Sequence, residues 1–114
     1  MLVEFSIIPL GQGTHISTEV AEALKIVDAS GLPYQLTPLG TCLEGEWDEV
    51  ILTIRRCHER IRQISPHVIT SIRIEDEQGA KDKLRANIAS VEAKAGRPLR
   101  RESSAHVIAP EGRT

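Results

Sequence analysis

A chain of 114 residues, 40 % hydrophobic and 26 % charged, has the composition of one soluble globular domain and is too short for a site buried between two lobes. Fourteen Lys and Arg against sixteen Asp and Glu leave a formal net charge of −2, which excludes the basic face needed to neutralise nucleic-acid phosphates. Three aromatic residues, Phe5, Tyr34 and Trp47, cannot supply a row of base-stacking platforms.

Cys42 and Cys57 fit neither a disulfide framework nor a zinc site. Met1–Leu10 alternates instead of showing a basic start and an apolar run, and no stretch reaches the about 18 apolar residues of a membrane span. The expectation is a cytoplasmic protein with reduced thiols, no membrane segment, no metal and no cofactor.

Leu2–Ile8 alternates, with Val3, Phe5 and Ile7 on one side and Glu4, Ser6 and Ile8 on the other, as a strand with one buried face does. Pro9 and Gly11-Gln12-Gly13 end it. Ser17 is a candidate N-cap for a helix over about 17–30, carrying Val20, Leu24 and Val27 on one face and stopped by Gly31 and Pro33. Tyr34–Thr37 and Thr41–Glu44 read as short strands around a turn at Pro38-Leu39-Gly40. Trp47, Val50, Ile51, Ile54, Cys57, Ile61 and Ile64 then recur at helical spacing, with Asp48 and Glu49 in the first turn and Ser65-Pro66 as a stop. Val68, Thr70, Ile72 and Ile74 alternate with Ile69, Ser71, Arg73 and Glu75 as a fourth strand. Leu84, Ile88 and Val91 mark a thinner helix that ends near Gly96.

The order β-α-β-β-α-β with an added C-terminal helix predicts an α+β, ferredoxin-like antiparallel sheet over residues 1–96, with both main helices on one face. Residues 97–114 lose periodicity and read as a flexible tail. Strand parity puts Glu4, Ser6, Ile8, Gln35, Thr37, Ser71, Arg73 and Glu75 on the uncovered face. Ile8 and Ile69 interrupt its polarity, which suits a subunit interface with ligand sites at or near it.

The ordered set Leu36-Thr37-Pro38-Leu39-Gly40-Thr41, Glu44-Gly45-Glu46 and Asp48-Glu49-Val50 resembles the YkoF-like thiamine-binding family. So do Phe5–Gly11, Ser30–Tyr34 and Cys57-His58-Glu59, and the resemblance covers roughly residues 2–95. The chain departs from the family in two places. Leu39 stands where Met is usual, a volume-conserving change, and Glu75-Asp76-Glu77 replaces an Asp-Asp-Arg-like segment. The resemblance implies a non-catalytic dimer or tetramer that binds thiamine or its hydroxymethylpyrimidine half.

Hydroxyls of Ser6, Thr37 and Thr41 and the carboxylate of Glu44 match the donors and acceptors of an aminopyrimidine. Glu44, Glu46, Asp48 and Trp47 offer acidic and aromatic partners for a cationic thiazolium. Candidate ligand contacts are therefore Ser6, Thr37, Thr41, Glu44 and Trp47. Simpler duties compete: turn stabilisation for Thr37 and Thr41, helix capping for Asp48, and a hydrophobic anchor for Trp47. Glu44 has no structural duty that the sequence reveals. Catalysis is not expected, because Cys57 and His58 are adjacent on a helix and diverge by about 100°. Gly11-Gln12-Gly13 lacks the lysine and further glycines of a phosphate loop. The expected role is carrier or buffer, and the alternative is a regulatory or structural oligomer with another small effector.

Overall fold

The computed structural model describes residues 1–13 and 15–101. Seven elements follow in order: β1 (Leu2–Pro9), α1 (Ser17–Ala29), β2 (Tyr34–Thr37), β3 (Gly40–Glu44), α2 (Trp47–Ile64), β4 (Val68–Glu75) and α3 (Lys83–Ala95). The strands form one antiparallel sheet in the order β2-β3-β1-β4, so each βαβ unit has a strand of the other inserted into it. This is the ferredoxin-like α+β arrangement expected from the element order.

Register explains the layers. Val3 pairs with Leu43 and with Ile74, and Phe5 with Thr41 and Ile72, so these residues point toward α1 and α2. Glu4, Ser6 and Ile8 pair across to Arg73, Ser71 and Ile69 on the open face. The core joins Val3, Phe5, Ile7 and Leu43 of the sheet to Ala23 and Val27 of α1 and to Val50, Ile54, Cys57 and Ile61 of α2. Cys57 belongs to this core, whereas Cys42 pairs with Glu4 on the open face, so the sheet separates the two thiols.

Several local features depart from the sequence reading for identifiable reasons. Ser17 is the first helical residue of α1, not its cap; Ile16 occupies the cap position and supplies no side-chain hydrogen bond. Gly40 already pairs with Thr37, which shortens the β2–β3 turn to Pro38-Leu39. A side chain at Gly40 would place its Cβ 2.9 Å from the Phe5 carbonyl oxygen, so glycine lets β3 lie against β1 there. Ile72 and Ile74 face the helix layer as parity requires, yet stay exposed because α2 packs chiefly over β1 and only partly roofs the edge strand β4. Trp47 opens α2 as the stripe predicts but is 55 % exposed, so it is no core anchor; the stripe enters the core only at Val50.

None of the residues of the added helix α3 is itself buried. Its start is Asp82, a non-glycine residue with φ of 55°, and its end is Gly96, whose φ of 76° closes the helix with its N–H on the Glu92 carbonyl at 2.9 Å. Residues 97–101 turn back along it: the Leu99 N–H donates to the Glu92 carboxylate at 2.6 Å, and Arg101 pairs with the same group. The rest of the tail expected over 97–114 lies outside the described residues.

Candidate binding cleft

The pairing of β1 is lopsided, and that creates a cleft. On one side β1 pairs with β4 along its whole length, from Leu2 to Pro9. On the other side its register with β3 ends at Phe5–Thr41, because β3 turns away into the hairpin. Beyond that point Ser6, Ile7 and Ile8 face the Pro38-Leu39 turn and the first turns of α1 across a gap of about 510 Å³. Val20 and Leu24 of α1 are only half-buried because they wall this gap. Leu36 closes it from β2, and Phe5 and Ile61 form part of its lining.

Among the described residues that line it, none carries a charge, and the polar side chains are the hydroxyls of Ser6, Ser17, Thr37 and Thr41. Thr41 is the distinctive one. It is only 3 % exposed and lies on the helix-facing side of the sheet opposite Phe5, in the lining of the cleft. A threonine hydroxyl in the wall of an apolar cleft can both donate to and accept from a ligand. The Thr37 hydroxyl donates to the Gly40 carbonyl at 2.8 Å; it braces the turn and keeps lone pairs for a second partner.

A shallower depression of about 240 Å³ adjoins on the open face, with Glu4, Ser6, Leu39, Ser71 and Arg73 in its lining. Arg73 Nη2 donates to Glu4 Oε1 at 2.9 Å across the β1–β4 pair. Neither Glu4 nor Arg73 stands out in sequence as a site residue. Strand parity puts them on the open face, but their neighbour across the hairpin, Leu39, is visible only in the fold.

The five sequence candidates divide between the two ends of the sheet. Ser6, Thr37 and Thr41 meet at the cleft. Glu44 sits three residues further along β3, about 10 Å away, and the structure gives it the duty that the sequence hides. Glu44 is 8 % exposed, and its carboxylate accepts the Lys83 N–H at 2.6 Å and the Leu84 N–H at 3.0 Å, capping α3 from a neighbouring strand. Trp47 lies beyond it, at the start of α2.

The cysteine and histidine of α2 are occupied elsewhere. Burial pushes the Cys57 thiol up to about 11, and its Sγ donates to the Ala23 carbonyl at 3.4 Å. His58 Nδ1 lies 2.6 Å from Thr70 Oγ1 on β4.

Residues 3–92 match the family described as thiamine-binding protein. The chain belongs to the thiamine-binding protein family. A UPF0045 protein of Mycobacterium bovis is 35 % identical over 99 residues, covering 86 % of this chain and 97 % of that one. The UPF0045 protein YqgV of Bacillus subtilis is 38 % identical over 96 residues, covering 79 % and 92 %. Among solved structures, a hypothetical protein from Methanocaldococcus jannaschii superposes with a TM-score of 0.75 at 26 % identity, covering 79 % of this chain and 93 % of its own. A Thermotoga maritima protein shares the fold with a TM-score of 0.66 at 16 % identity, covering 75 % and 94 %. The family match thus spans β1 through most of α3 and includes every residue of the cleft named above.

Proposed function

We propose that this member of the thiamine-binding family binds thiamine or its hydroxymethylpyrimidine moiety without transforming it, as a cytoplasmic carrier or buffer. Ser6, Thr37 and Thr41 make the polar contacts. Glu44 and Trp47, offered by the sequence as further contacts, are assigned here to α3 and to the outer end of α2. The observation that carries the reading is the buried Thr41 hydroxyl at the wall of an uncharged, apolar cleft. An aminopyrimidine is flat, apolar on its faces and hydrogen-bonding at its edge, which is the chemistry such a cleft accepts. The described side chains that line the cleft offer no acid, base or thiol, so the site suits retention of a ligand better than turnover.

The working unit is a homo-oligomer, a dimer or tetramer. Support comes from the open face, where Ile8 and Ile69 pair across strands at 43 % and 47 % exposure beside the mutually complementary Glu4 and Arg73. A second copy seated there covers both isoleucines and leaves the polar depression at the seam.

Calorimetric titration of the folded chain with thiamine and with hydroxymethylpyrimidine tests the binding role. Saturable heat with either ligand, and Trp47 emission that stays level, is the expected result. Heat accompanied by a large Trp47 change would move the site to the opposite end of the sheet. No heat with either ligand would leave the regulatory or structural alternative as the better reading.

A further inference from the structure

We propose that Glu4 is the counter-ion for the cationic ring of a two-ring ligand that spans the cleft and the open-face depression, an inference that rests on the thiamine-binding reading above. The two concavities are continuous in their linings: Phe5, Ser6 and Leu39 belong to both. They adjoin where the register of β1 with β3 ends at Phe5–Thr41.

Their chemistry is divided. The cleft offers hydroxyls and hydrocarbon, which suit a neutral aminopyrimidine and would penalise an unpaired cation by desolvation. Among the described residues lining either concavity, Glu4 is the one carboxylate. A ligand whose neutral ring lies against Thr41 therefore carries its charged ring out past Leu39 toward Glu4. Arg73 engages Glu4 Oε1 from the neighbouring strand and leaves Oε2 for the ligand. Ser6 and Ser71, opposite each other on β1 and β4, supply hydroxyls beside the pair.

The consequence is selection for the whole cationic ligand over its neutral pyrimidine half. Calorimetry on the full chain, with thiamine and with hydroxymethylpyrimidine at low and high salt, reads this directly. Glu4→Gln should weaken thiamine about tenfold and leave hydroxymethylpyrimidine within about twofold, the difference expected when a charged partner is removed from one ligand only. Wild-type affinity for thiamine should fall as salt is added, and that slope should flatten in Glu4→Gln. Arg73→Gln should not weaken thiamine.

If Glu4→Gln affects both ligands alike, or neither, while thiamine still binds, the inference is overturned and the cleft reading survives. Wild-type protein that binds the pyrimidine but not thiamine overturns it in the same way. Binding of neither ligand removes both readings. Should Glu4→Gln lose its fold by circular dichroism, the wild-type salt series decides alone, and salt-indifferent thiamine binding sinks the proposal.

Discussion

Thr41 concentrates the proposed binding role into one hydroxyl. Thr41→Val keeps the shape of the side chain and the β-branch, so the hairpin should fold unchanged while the cleft loses its buried donor and acceptor. Ligand affinity should drop by about 1–2 kcal/mol, the cost of leaving a bonded group without its partner, with thermal stability little altered; calorimetry and melting curves on the same preparation check both. The two thiols make a second contrast at this scale. Cys57 is buried, hydrogen-bonded to Ala23 and held in the protonated form by burial, whereas Cys42 lies half-buried on the open face. An alkylating reagent at neutral pH should therefore label Cys42 first in the folded chain and reach Cys57 only on unfolding; mass spectrometry of partly labelled protein would show the order.

Among elements, α3 is the unusual case, because polar contacts hold it to the sheet instead of a buried face. Glu44 caps its first turn, Glu75 accepts a hydrogen bond from Asn87 at 3.0 Å, and Lys83 pairs with Glu75 and Glu77. Glu44→Ala should remove about 1–2 kcal/mol of local stability, the usual worth of a cap. Hydrogen exchange should show this as faster exchange in α3 with the β1 and β4 amides unchanged. Acid should act in the same direction. The Asn87 hydrogen bond first, and Lys83 after it, hold the Glu75 carboxyl below its ordinary range. That contribution is present at and above the carboxylate range and is lost as pH falls through it. Protection factors in α3, which correct for the intrinsic slowing of exchange in acid, should fall on acidification before those of the core.

How far the sequence could be read differs by element. Period-two alternation exposed both faces of β1 and β4, and the stripe from Val50 to Ile61 located the core side of α2. The stripe misled at Trp47, since a helix can keep its period past the end of the sheet that gives the period meaning. Glu44 was legible as a polar residue without local partners, but its partners are 39 and 40 residues away, beyond any pattern of spacing. Thr37 and Thr41 were legible through the turn motif. The walls contributed by Val20, Leu24 and Leu36 looked like ordinary core positions, because a cleft is a missing neighbour and leaves no mark on the residues that flank it.

For the whole molecule, the proposed assembly rests on the open face. It carries Ile8 and Ile69 among Ser6, Ser71 and the Glu4–Arg73 pair, a mixture that a two-fold contact can satisfy. Ile69→Asp places a charge at the centre of that contact. Light scattering should then report the mass of one chain, 12.6 kDa, with the circular dichroism of the wild type retained. An oligomer that survives this substitution would place the interface elsewhere.

The cap on α3 carries one more implication, for shortened versions of this domain. Judged by burial alone, deleting everything after β4 looks harmless, since α3 contributes nothing to the core. Yet the deletion would strip the Glu44 carboxylate of both its amide donors and leave hydration to replace them. Glu44→Gln should therefore weaken the cap on α3 in the full chain and leave the short form, which has no α3 to cap, unchanged in thermal unfolding. The helix that adds no residue to the core thus supplies both amide donors of the Glu44 carboxylate on the sheet.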